Sequence, residues 1–391
     1  MQRYTNLFVL LSLLFFFIDS VRFLQRERHR SDLVWRRAMR VLARLLGLAT
    51  ILIPWVSPLT FRIAPYPTGP NHIRTVSIRI TDTHRRDPYT NDDSYRWLPV
   101  TIWYPIDTTV MPQSCPLILF SHGSFGVKES NAFLCQELAS YGYVVCAVDH
   151  THQSLSAIDA QGNKVGLDKG YVRQILTASD STPEKRAELS GLFAEWMDLR
   201  TADLAIILDC LIGPGTPELD MASEAMSRID PTKIGVMGHS LGGAAAIALG
   251  RTRTEIKAVL ALEAPYMGDV VGIKDGQFVF RNPIYPVPLL NLYTDSVGPR
   301  LSKLPQYAQN AAIAADNCNT TNDLYIRGAG HMTLTDLVYT CPPVCLLFGQ
   351  DVLFDVTAYT KNFNQTCLDF FDSSLKGQGN FEPQAFERVA F

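Results

Sequence analysis

An excess of charge of one sign is what this chain of 391 residues most clearly lacks. Its 35 Lys and Arg are balanced by 38 Asp and Glu, for a net charge of −3, which excludes the basic domain that a nucleic-acid binder requires. Internal repeats and low-complexity tracts are missing as well. The eight cysteines lack paired C-x-x-C spacing, so they do not read as a zinc site. With 47% hydrophobic and 19% charged residues, the chain can bury a large core. Its length suits one large α/β domain with additions.

What is present near the start is apolar. "LFVLLSLLFFFI" (Leu7 to Ile18) and "VLARLLGLATILIPWVSPLTF" (Val41 to Phe61) flank a stretch from Arg22 to Arg44 that holds eight arginines against Glu27 and Asp32. No small-residue cleavage site follows the first run, which argues against a removable signal peptide. A membrane span needs about 20 apolar residues. The second run reaches that length if Arg44 snorkels to the interface. The reading is an N-terminal membrane-anchoring helical hairpin over residues 1–63, with amphipathic helices packed on the globular domain as the alternative. An arginine-rich cytoplasmic loop would place the bulk of the chain on the extracytoplasmic side. In that compartment Cys318, Cys341, Cys345 and Cys367 could form disulfides, whereas Cys115, Cys135, Cys146 and Cys210 sit in apolar runs and read as small buried side chains.

From residue 64 to 391 the pattern becomes that of strands alternating with helices, which predicts a mostly parallel central sheet covered on both faces. "RTVSIRITD" (Arg74 to Asp82) and "LPVTIWYP" (Leu98 to Pro105) alternate as exposed or edge strands do. "PLILFSHG" and "GYVVCAVDH" are continuous apolar runs, as buried parallel strands should be. An insertion covers about 151–182, and a helix follows from about Pro183 to Leu211.

Polar residues then fall at the carboxyl ends of strands, where a parallel sheet places its functional groups. Ser240 follows the strand "KIGVM" inside "GHSLGG". Glu263 ends "AVLALE", Asp295 ends "LLNLYTD", and His331 follows "LYIRGAG". The order serine, acid, histidine is that of α/β-hydrolases. In such an elbow the serine stands on a strained turn, and side chains at Gly238 and Gly242 would collide with the neighbouring strand and helix. Gly123 in "LFSHGSFG" lets the backbone amide of Ser124 face a reacting carbonyl, and the amide of Leu241 supplies the second oxyanion donor. His122 reads as a brace for that loop. His150 and His152 in "VDHTH" make too small a set for a metal. Both Glu263 and Asp295 can in principle reach His331. Glu263 is taken as the acid of the triad with Ser240 and His331, and Asp295, which follows its strand very closely, is the alternative. Neither metal nor cofactor is called for.

Together "TDTHRRDPY…LPVTIWYPID", "PLILFSHGSFG…LASYGYVVCAVDH", "IGVMGHSLGG", "ALEAPYMGD" and "IRGAGHMTLTD" resemble the plasma-type platelet-activating-factor acetylhydrolases and their bacterial relatives. The likeness runs from about Thr68 to Lys376. It implies an α/β-hydrolase acting as a serine esterase or lipase on short-acyl phospholipid-type esters, with Ser240 as nucleophile, His331 as base, and the Ser124 and Leu241 amides as oxyanion donors. The family carries aspartate where this chain has Glu263. The partners expected are a small-molecule or lipid ester and the membrane. Acyl transfer on the same triad, or a non-catalytic binding or adhesion module on the same fold, are the alternatives.

Overall fold

The structure, a computed structural model, describes residues 65–106, 114–178, 182–214, 217–281, 284–315, 321–351, 354–383 and 385–389. The hairpin expected over residues 1–63 lies outside them. Among the described residues no helix is long and apolar enough to cross a membrane.

Strands β1 (Ile73–Arg86), β2 (Tyr95–Pro105), β3 (Cys115–Ser121) and β4 (Val144–Val148) form one half of the sheet, with helix α1 (Ala132–Ser140) between β3 and β4. That helix stops where Gly142 takes a left-handed conformation at φ +90, a turn glycine makes without strain. The insertion holds a small hairpin, β5 (Ser156–Ile158) and β6 (Lys164–Gly166), and helix α2 (Lys169–Thr177). Asp168 caps α2 by accepting from the Tyr171 amide at 2.9 Å. Helix α3 (Arg186–Ile212) leads to β7 (Ile229–His239), α4 (Leu241–Thr252) and β8 (Ile256–Leu262). A second hairpin, β9 (Val270–Lys274) and β10 (Gln277–Phe280), precedes β11 (Leu289–Thr294). Helix α5 (Ala308–Ala315), β12 (Thr321–Ile326), α6 (Val356–Phe371) and the short β13 (Glu387–Arg388) complete the chain order.

The main sheet runs β1-β2-β4-β3-β7-β8-β11-β12-β13. From β4 to β12 every neighbouring pair is parallel, while β1, β2 and β13 join antiparallel. The sequence reading of β2 as exposed or edge is corrected here. β2 is paired on both sides, and from Leu98 to Pro105 it is buried throughout. Only β1 is an edge. The alternation read in "LPVTIWYP" sorts side chains between two covered faces rather than between core and water.

Both faces are covered because alternate residues of each central strand are apolar. On β3, Leu117 and Leu119 pack in a cluster with Phe193, Trp196 and Leu204 of α3 and Ile247 of α4. Ile118 and Phe120 point the other way, onto Leu134 and Leu138 of α1 and Phe363 and Phe370 of α6. Each such fully buried side chain contributes about 1.5–3 kcal/mol. Cys115, Cys135 and Cys146 are buried in these layers as small apolar groups. Cys341 and Cys367 are free thiols, and Cys318 lies outside the described residues. The parallel strands deliver the carboxyl ends of β3, β7, β8, β11 and β12 to one edge of the sheet, and the polar residues named above follow those ends.

Candidate active site

Ser240 sits between the last residue of β7 and the first of α4, at φ +53 and ψ −122. Such a conformation costs a non-glycine residue about 1–3 kcal/mol and persists only where its surroundings impose it. They do so here through contact. A Cβ on Gly238 would lie 2.4 Å from the backbone of Gly242, and one on Gly242 would lie 2.1 Å from the carbonyl oxygen of Ser121. Helix α4 can therefore approach the ends of β3 and β7 only as backbone against backbone. The Ser240 amide is tied to the carbonyl of Leu262 at 2.8 Å, which joins the turn to β8. Leu241 opens α4, so its amide is among the first N–H groups of that helix, which have no intrahelical acceptor.

One residue beyond β8, Glu263 also has positive φ (+48), and its carboxylate is fully buried. Oε2 accepts from His331 Nδ1 at 2.6 Å. Oε1 accepts from the Thr294 amide at 2.7 Å and the Thr294 hydroxyl at 2.6 Å. Three donors on two oxygens satisfy a carboxylate removed from water. The turn is locked further by the Tyr307 hydroxyl, which donates to the Glu263 carbonyl at 3.1 Å. Burial and the neighbouring Glu263 charge push that phenol well above its ordinary pKa. The His331 amide donates to Ser296 Oγ at 3.0 Å.

Asp295 is not at His331. Its carboxylate accepts from the Tyr325 hydroxyl and, at 2.9 Å, from the Gly328 amide. The cause is strand geometry. Successive side chains at a strand end point to opposite sides, so when Thr294 faces Glu263, Asp295 is turned toward β12. The carboxylate that the structure brings to the histidine is Glu263.

His239 is a site residue that the sequence reading passed over. Its ring lies 4.5 Å from that of His331, centroid to centroid, and its Nε2 donates to the His331 carbonyl at 3.1 Å. Burial first, then the nearby His331, pulls its pKa well below the ordinary histidine value, so it remains neutral. The signal was inside "GHSLGG" itself: a residue next to the serine must touch whatever the serine faces.

The turn after β3 packs over the elbow, where a Cβ on Gly123 would lie 3.3 Å from Ser240 Cβ. His122 braces it, as expected from sequence. Its Nδ1 donates to the Gly123 carbonyl at 2.6 Å, and its Nε2 faces Ser154 Oγ at 2.7 Å. Burial, helped by the positive charge of Arg200, holds its pKa well below the usual range. A carbonyl only accepts, so the neutral ring carries its proton on Nδ1. His150 is fully buried, bonded to Ser121 Oγ at 2.9 Å and to Asp203 Oδ2 at 2.9 Å. Burial lowers its pKa to about 4. His152 stacks on Tyr89. These two histidines anchor the insertion to the sheet, and no metal-binding cluster occurs among the described residues.

A mostly parallel, two-faced sheet with a strained serine turn at its functional edge is the architecture of the α/β-hydrolases. The sequence pattern of platelet-activating factor acetylhydrolase, isoform II, matches residues 98–381, and the chain belongs to that family of ester hydrolases. It is 29% identical over 285 residues to platelet-activating factor acetylhydrolase of Bos taurus, a match covering 68% of this chain and 59% of the bovine protein. The chain thus matches less than two thirds of that relative's length. Cutinase est1 of Thermobifida alba is 26% identical over 162 residues, 41% of this chain and 38% of the cutinase. A solved ferulic acid esterase from Streptomyces cinnamoneus shares the fold, with a TM-score of 0.61 at 23% identity, covering 84% of this chain and 99% of the esterase.

Proposed function

We propose that this protein is a serine carboxylic-ester hydrolase that works through an acyl-enzyme on short-acyl, phospholipid-type esters. The observation that carries the proposal is the 2.6 Å bond between a buried carboxylate and His331, on the same sheet edge as a serine held at positive φ. In this reading Ser240 Oγ attacks the ester carbonyl carbon while His331 Nε2 takes its proton. Glu263 holds Nδ1–H, fixing the tautomer that leaves Nε2 free to accept, and stabilises the imidazolium that forms. The carbonyl oxygen becomes an oxyanion facing the Ser124 and Leu241 amides. Collapse breaks the bond to the alcohol, which leaves with the proton from His331. Water, deprotonated by the same histidine, then attacks the acyl-serine and releases the acid.

The choice of short-acyl phospholipid-type esters rests on family membership and on the bovine acetylhydrolase. The cutinase and ferulic acid esterase names point instead to other esters. A panel from acetyl to long-chain esters, with sn-2-acetyl and sn-2-palmitoyl phospholipids included, separates these readings. The expected result is a kcat/KM falling about a hundredfold from acetyl to long acyl chains. A long-chain or feruloyl ester as the best substrate would overturn the assignment.

The proposal includes an N-terminal membrane anchor over residues 1–63, supported by the two apolar runs around the arginine-rich stretch. A topology reporter fused after Phe391 is expected to give the extracytoplasmic signal, and one near Arg30 the cytoplasmic signal. Full-length protein recovered without detergent would contradict the anchor.

A further inference from the structure

A guanidinium lies beneath the turn that carries the proposed oxyanion donor. Arg200, on α3, is fully buried, and its donors reach three separate segments. Nη1 donates to the His122 carbonyl at 2.5 Å, Nε to Gln153 Oε1 at 2.8 Å, and Nη2 to the Tyr171 hydroxyl at 3.4 Å. All three acceptors are neutral. No carboxylate among the described residues forms an ion pair with Arg200. The acid nearest along the helix, Asp203, is bonded instead to Arg96 at 2.6 and 2.7 Å, to Arg85 at 2.8 Å and to His150 at 2.9 Å.

Taking a guanidinium out of water against neutral acceptors is unfavourable, and an apolar side chain of similar size would serve packing at lower cost. Burial duly pulls the Arg200 pKa below its ordinary value. Tyr171 and the more distant Asp203 charge offset part of that cost, but no carboxylate among the described residues contacts the fork, and its first contact indicates a role beyond packing. The His122 carbonyl is wedged between Arg200 and the first turn of α4, where a Cβ on Gly242 would lie 2.4 Å from its oxygen. The next carbonyl, that of Gly123, is held by His122 Nδ1 at 2.6 Å. That carbonyl and the Ser124 N–H belong to one peptide plane. The two peptides leading to the donor are thus pinned in succession, the first by Arg200.

We infer that Arg200 is a positioning residue for the oxyanion hole: its bond to the His122 carbonyl orients and polarises the 122–124 backbone, and its bonds to Gln153 and Tyr171 tie that backbone to the insertion. The inference rests on the ester-hydrolase reading above. Preorganised amides lower the barrier only while they stay aimed at the developing charge, and a fixed positive charge behind them in a low-dielectric interior strengthens them further.

The test compares full-length Arg200→Met, which keeps the length without the charge, with Arg200→Lys, which keeps the charge without the fork. The readouts are kcat and KM on an acetyl ester, the rate of fluorophosphonate labelling, and Tm. Arg200→Met is expected to lose about 30- to 100-fold in kcat. Its KM should stay within about threefold, as loss of an interaction made in the transition state requires. Labelling should slow in parallel, Tm should hold or rise, and Arg200→Lys should recover part of the rate. A kcat within about threefold of wild type, or a loss accounted for by a smaller folded fraction, overturns the inference. Should Arg200→Met not fold, Gln153→Ala and Tyr171→Phe release the guanidinium without removing it. Both are then expected to lower kcat severalfold at unchanged Tm, and unchanged kcat in both overturns the inference. A wild-type protein that neither cleaves esters nor labels defeats the parent reading. An active wild type with an equally active Arg200→Met defeats this inference alone.

Discussion

Ser240→Ala is expected to fold with a Tm near that of wild type and to lose ester hydrolysis by about a millionfold, down to a residual background. The magnitude follows from the proposed covalent route: without Oγ, the triad has no nucleophile to form the acyl-enzyme, and only the oxyanion donors and substrate binding remain. Stability should be nearly unaffected because the constraint lies in the backbone. The turn is imposed by Gly238 and Gly242 against each other and against Ser121, and alanine at φ +53 bears a strain similar to that of serine. Steady-state hydrolysis and thermal unfolding on the same preparation decide it. An alanine variant retaining more than a few per cent of wild-type kcat would remove Ser240 from the chemistry.

The acid gives the second large effect. Glu263→Gln is expected to lower kcat by about 10⁴-fold, through loss of the correct histidine tautomer. In the native site Oε1 accepts two hydrogen bonds from Thr294 and Oε2 accepts one from His331. A glutamine keeps its carbonyl oxygen on Thr294 and so turns its NH₂ toward His331. Nδ1 must then accept, the ring proton moves to Nε2, and Nε2 can no longer take a proton from Ser240. Asp295→Asn is expected to cost less than about tenfold, since that carboxylate holds Tyr325 and the Gly328 amide and touches neither reacting group. Its influence on His331 is indirect, through the loop from Gly328. Kinetics of the two folded variants side by side settle the matter, and the reverse order would move the acid to Asp295.

Most of the sheet was legible because its central strands are written as unbroken apolar runs, and such runs admit little but burial on both faces. The glycines around Ser240 were legible for a different reason: a residue whose Cβ would sit about 2 Å from backbone leaves glycine as its sole solution. The interior position of β2 was not legible, since alternation in "LPVTIWYP" fits an edge strand as well as one sorting side chains between two packed faces. The sequence favoured Glu263 over Asp295 only through the family position and the closeness of Asp295 to its strand, and could not show the contact with His331 itself. Both follow strand ends, and what separates them is a φ of +48 at Glu263 and the side to which Thr294 points. Arg200 reaches His122 across 78 positions and Gln153 across 47. Such a contact has no local period, and an arginine within a helix reads as a solvated side chain until the fold buries it.

Peptide mapping after fluorophosphonate treatment tests the central claim most directly, because the probe marks whichever side chain attacks. One adduct per chain is predicted, on Ser240 within Ile234 to Gly250, formed more slowly when a short-acyl ester is present in excess during labelling. An adduct on any other residue, or an unlabelled protein that still cleaves esters, would contradict Ser240 as the nucleophile.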